Sequence, residues 1–129
     1  MPEEIFTGAT NVMALRDWRA AASSALLKHG RAMLAIGRAS RIQSSVAPHE
    51  LIAHLIDTTT HVLGSQPVER IFLEGGATAA ALLHRMNWVR LRALATGLIG
   101  VAVLRAESGQ LLFIKPGSYP WPAAGIGIR

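Results

Sequence analysis

Residues 70–88 read RIFLEGGATAAALLHRMNW, and the fold turns on how this stretch is read. The apolar run Ile71, Phe72, Leu73 meets the glycine pair Gly75 and Gly76, and the alanine-rich segment after them has the composition of a helix. That is strand, tight turn, helix. Glycines in such a turn let a ligand approach the backbone, while the first amides of the new helix point outward without intrahelical partners. A helix start of this kind attracts phosphate.

A second glycine element follows the same plan. Gln110 to Ile114 reads as a strand and runs straight into Lys115, Pro116, Gly117, Ser118 and Tyr119. A cation followed by a glycine turn is again what a phosphate requires. Two such turns, each directly after a strand, point to one pocket. Glu74, just before the glycines, is either a solvated strand end or a group that orients a ribose hydroxyl or a metal-bound water. Thr78 caps the helix or bonds a phosphate, and the two roles are compatible. Trp121, between Pro120 and Pro122, is an apolar wall beside a base or a lid on the core.

Outward from these turns, Asn11 is a candidate N-cap, and Val12, Leu15, Trp18, Ala22 and Leu26 recur at helical spacing until Lys28, His29 and Gly30 mark a stop. The short apolar run from Arg31 to Gly37 reads as a buried strand, and the polar stretch 37–47 as a loop. Pro48 suits the first position of a second helix whose face of Leu51, Ile52, Leu55, Ile56, Thr59, Val62 and Leu63 ends at Gly64. After the helix expected over 77–87, Val89–Ala95, Leu98–Arg105 and Gln110–Lys115 all suit strands. Glu107, Ser108 and Gly109 form a hairpin signal between the last two. The tail from Gly117 should wrap as loop. The order predicts an α/β fold: a mostly parallel sheet flanked by helices, with a C-terminal antiparallel extension. In such sheets ligands gather at the carboxyl ends of strands.

The chain has 129 residues, half of them hydrophobic and 16% charged, which fits a single domain with a real core. A net charge of +5 and a pI near 11.1 suit an anionic partner. The arginines are scattered from Arg16 to Arg129 with no basic tail or stripe, and one Tyr and three Phe offer little stacking surface, so nucleic acid is not the expected partner. Absence of cysteine excludes disulfides, thiolate metal sites and thiol catalysis. The N-terminus is acidic without a signal-type apolar core, and the uncharged run Ala93–Leu104 is shorter than the roughly 20 residues a bilayer demands. A soluble cytoplasmic protein is expected, with no membrane partner.

Other constellations carry less. His49 and His54 sit five apart, so on a helix their rings diverge by about 140° and do not share a metal; His54 and His61 share a face but lack a third ligand, so no metal site is expected. No Gly-x-Ser-x-Gly elbow supports Ser44 or Ser45 as a nucleophile. The phosphate loop Gly-x4-Gly-Lys-Ser/Thr and the Gly-x-Gly-x-x-Gly pattern are both absent.

Gly75-Gly76-Ala77-Thr78, preceded by Ile71-Phe72-Leu73 and followed by Lys115-Pro116-Gly117-Ser118-Tyr119, resembles the C-terminal nucleotide-binding domain of the four-carbon acid sugar kinase family, over roughly residues 30 to 122. The resemblance implies that Gly75, Gly76, Ala77 and Thr78 bind ATP phosphates through backbone amides and the threonine hydroxyl, and that Gly117 approaches the nucleotide. Lys115, from its place, would neutralise phosphate charge. Pro120 stands where the relatives usually have glycine, which restricts that turn. The resemblance further implies ATP and Mg²⁺ as cofactors and transfer of a phosphoryl group to a hydroxyl of a small acid sugar. That acceptor would be bound by an N-terminal domain this chain does not include, so the chain is expected to be a truncated nucleotide-binding domain or to work with a partner chain. No catalytic base is assigned, and homo-oligomerisation is left open. The alternative is a noncatalytic binding or assembly module that keeps the fold without the activity.

Overall fold

The structure, a computed structural model, describes residues 1–7, 12–37 and 45–122. The chain divides into two units, Met1–Pro67 and Val68–Arg129.

In the first unit, α1 (Val12–His29) stops where its sequence provides for it. Lys28 and His29 occupy the last turn, at the negative end of the helix, and Gly30 takes φ 66° while its amide donates to the Leu26 carbonyl at 2.8 Å. Asn11, its expected cap, lies outside the described residues, as do 38–44 of the expected loop. Helix α2 (Pro48–Ser65) starts on a proline whose missing N–H has no helical partner at that position. Ala47 has no capping side chain, but its amide donates to Glu50 Oε2 at 3.1 Å, forming half of a capping box. Ile5 and Phe6, from the short 3-10 turn Glu3–Thr7, join Leu51 in a core cluster against which Leu15, Trp18, Ile36 and Val46 pack.

The strand expected over Arg31–Gly37 is not formed. These residues are irregular, bracketed by Gly30 and Gly37 at positive φ, and Met33 is 91% exposed. Ile36 packs against the Ile5–Phe6–Leu51 cluster, and Met1 N donates to the Ala35 carbonyl at 2.6 Å. A short apolar run without periodicity does not by itself select a ladder partner.

The second unit contains β1 (Arg70–Glu74), α3 (Gly76–Arg85), β2 (Leu91–Leu94), β3 (Ala102–Ala106) and β4 (Leu111–Lys115), in sheet order β1-β4-β3-β2. Strands β1 and β4 are parallel, with Ile71 beside Leu112 and Glu74 beside Lys115; β4–β3 and β3–β2 are antiparallel. Alternation sends Ile71, Leu73 and Leu112 to one face and Phe72 and Phe113 to the other. The two rings stack with centroids 4.7 Å apart, and Trp121 meets Phe72 edge-on at 5.7 Å. Helix α3 packs against β1 and β4 and buries Ala79 and Leu82.

The α/β class stands, but the sheet is mixed and not mostly parallel. The turn at Glu107–Gly109, with Gly109 at φ 100° and its amide on the Ala106 carbonyl at 2.9 Å, is too short for a crossover and makes β3–β4 antiparallel. With no strand at 31–37, the excursion from β1 to β4 provides the sheet's single parallel pair. Strand β3 starts later than expected because Gly97 and Gly100, at φ 67° and 76°, hold the preceding residues in a turn that leaves Ile99 93% exposed. Helix α3 ends at Arg85, with Asn87 in the left-handed region at φ 53°. Among the described residues, no helix is long and apolar enough to cross a membrane.

Leu112, fully buried in the strand that pairs on both sides, carries this unit's packing. Leu112→Ala is expected to cost about 2–5 kcal/mol in urea unfolding, whereas Leu27→Ala, at a largely exposed position of α1, should stay within about 0.5 kcal/mol.

Candidate functional site

Parallel pairing decides where the two glycine turns fall. Because Glu74 lies beside Lys115 in register, the Gly75–Gly76 bend after β1 and the Pro116–Gly117 bend after β4 leave the same end of the sheet on adjacent strands. Strand spacing puts their starts about 4.8 Å apart. The Gly75 amide donates to the Lys115 carbonyl at 2.9 Å, extending the ladder one step beyond the strands.

Gly75 then turns the chain into α3. It adopts φ 93°, ψ 131° as the N-cap, a conformation L side chains rarely take, and its carbonyl accepts from the Ala79 amide at 3.1 Å. Gly76, Ala77 and Thr78 are the first three helical residues, so their amides precede the first intrahelical bond and face outward. The Thr78 hydroxyl makes no hydrogen bond among the described residues; its Oγ1 lies 3.8 Å from where a Cβ on Gly75 would stand. A Cβ on Gly76 or on Gly117 would meet nothing within 4 Å, so the space before both bends is open. The Tyr119 amide donates to the Pro116 carbonyl at 3.3 Å and closes the second bend.

Of the six residues singled out in the sequence, four present free groups or open space here: Gly76, Ala77, Thr78 and Gly117. The other two are committed elsewhere. The amide of Gly75 belongs to Lys115. The side chain of Lys115 is 2% exposed, with Nζ 3.0 Å from Glu74 Oε1, 3.1 Å from the Pro116 carbonyl it donates to, and 5.3 Å from the centre of the Trp121 ring. Its charge is therefore neutralised in place by Glu74, on the face of the sheet that carries Phe72 and Phe113.

Glu74 and Trp121 are thus the partners of Lys115, which reading along the chain did not reveal. Both strand ends were visible, but their pairing depends on β1 and β4 being neighbours, and no local pattern encodes strand order. What the arrangement offers chemically is three outward amides, one free hydroxyl and two side-chain-free approaches at one sheet end, a set of donors suited to oxyanions. Compared with family models, with curated proteins and with solved structures, the chain finds no match.

Two stability contrasts check this geometry. Gly75→Ala is expected to cost about 1–3 kcal/mol for a side chain at positive φ, while Gly76→Ala, in open space in the first helical turn, should be neutral or slightly stabilising. Glu74→Ala should cost about 1–3 kcal/mol by leaving the buried ammonium short of its counter-charge, and Lys115→Met, which removes that charge, should cost less. Urea midpoints of the four variants measure both contrasts.

Proposed function

We propose that the second unit is the nucleotide-binding part of an ATP-dependent kinase that phosphorylates a hydroxyl of a small, four-carbon acid sugar in the cytoplasm. One observation carries this reading: the register of β1 and β4 sets a helix start and a glycine bend side by side at the carboxyl ends of two parallel strands, the place where α/β sheets hold ligands. The resemblance of Gly75–Thr78 and Lys115–Tyr119 to the acid sugar kinase family supplies the substrate class.

ATP with Mg²⁺ supplies the transferable γ-phosphoryl group. In this reading the amides of Gly76, Ala77 and Thr78 donate to phosphate oxygens, and Thr78 Oγ1 adds a fourth donor. Gly117, lacking a side chain, leaves room for the nucleotide on the neighbouring strand. The N-terminal end of α3 adds its positive dipole. Lys115 contributes by holding the bends in register through its carbonyl and its bridge to Glu74, more than by direct contact. The acceptor sugar and the base that takes its proton belong to a second domain, since phosphoryl transfer needs donor and acceptor held in line.

A second reading, a noncatalytic binding or assembly module with the same fold, is favoured by one feature. The cation beside the bends is buried and neutralised by Glu74, where a phosphate-facing lysine would be presented to the open side.

Calorimetric titration with ATP and Mg²⁺ separates the two. The kinase reading expects binding by the wild type and at least a tenfold loss in Gly76→Val, whose side chain enters open space without disturbing the fold. No binding by the wild type, or equal binding by the variant, overturns it.

A further inference from the structure

The sheet assembles a row of arginines that are far apart in the chain. Arg92 faces Arg105 across β2–β3, Arg105 faces Leu111 across β3–β4, and Leu111 faces Arg70 across β4–β1. Cross-strand partners project to the same face, so Arg92, Arg105 and Arg70 share one, with half-buried Leu111 between the last two. At a strand spacing of about 4.8 Å, Arg92 and Arg105 are immediate neighbours and Arg70 stands about 10 Å beyond. All three are exposed. The row lies at the amino ends of β1 and β4, opposite the end that carries the glycine bends.

Like charges directly opposite each other destabilise a sheet. Two residues outward, just past the ends of the same two strands, the ordinary arrangement is present: Arg90 Nη1 lies 3.6 Å from Glu107 Oε1. Arg70, Arg92 and Arg105 have no ion pair with any described residue. Three guanidiniums with no ion pair among the described residues therefore stand in line, the neighbouring Glu107 being engaged by Arg90, and local rules of this kind are broken where function compensates.

We propose that this row is a binding site for a small anion with two separated oxyanion groups. One group is clamped between the planar forks of Arg92 and Arg105, whose geometry matches phosphate and carboxylate oxygens in pairs. The other extends over Leu111 toward Arg70. The site is independent of the nucleotide reading, since it lies at the other end of the sheet.

The test is calorimetric titration with inorganic pyrophosphate, and separately with citrate, in a Gly76→Val background that blocks the bend at the glycine end. Binding of either anion, weakened at least tenfold by Arg92→Ala and by Arg105→Ala and unchanged by Arg16→Ala in the first unit, is the expected result. A response to pyrophosphate alone assigns phosphoryl groups to the occupant, and a response to citrate alone assigns carboxylates. Failure of both anions to bind, or equal binding in the Arg92 and Arg105 variants, overturns the proposal. Circular dichroism of each variant verifies that these surface substitutions leave the sheet intact.

Discussion

The pairing of β1 with β4 is the constraint on which the rest of the second unit depends. Its hydrogen bonds do more than join two strands. Continued one step by the Gly75 amide on the Lys115 carbonyl, they fix where the chain leaves the sheet on both strands at once. The same register brings Phe72 onto Phe113, Glu74 onto Lys115 and Arg70 into line with Leu111 and Arg105. A slip of one residue would turn every one of these side chains to the opposite face. Buried Leu112 and Leu82 resist that slip, because it would expose the apolar face of the central strand.

Much of the local structure was legible in the chain. Strand β1 falls on Arg70–Glu74 as expected, α2 begins on Pro48, and Gly30 ends α1, because each signal acts through its own backbone conformation or its missing donor. What was not legible depends on partners distant in sequence. The run 31–37 has strand-like composition but finds no ladder, and the apolar residues Leu98 and Ile99 are kept out of β3 by Gly97 and Gly100 on either side. Strand order was likewise hidden: a hairpin at 107–109 was visible, but its consequence, that β4 enters the sheet between β1 and β3, was not.

The candidate site shows the same division. Gly76, Ala77 and Thr78 were readable as the start of a helix with free amides, because helix starts leave amides free wherever they occur. The state of Lys115 was not, since a lysine beside a glycine turn can face a ligand or a neighbouring strand, and only register distinguishes the two. Here the ammonium is enclosed, with a carboxylate, a carbonyl and an indole ring around it. Burying a charge so deeply is tolerable only with such partners. The pair links the residues that immediately precede the two bends, so its electrostatic attraction and the ladder act on the same separation.

Charge is distributed unequally between the two ends of this sheet. At the carboxyl end of β1 and β4 the Lys115 ammonium is matched by Glu74, and donors are supplied by uncharged groups, the amides of α3 and the Thr78 hydroxyl. At the amino end three guanidiniums stand without an ion pair among the described residues. Backbone amides are fixed by the fold, require no side-chain ordering, and discriminate by geometry. Arginines on strands carry long flexible stems and attract anions through net charge, an attraction that salt weakens. The two ends therefore differ in kind, one preorganised and nearly neutral, the other adaptable and positive. The sequence scatters its arginines with no visible stripe, and only the antiparallel return of β3 against β2 and β4 converts three separate positions into one.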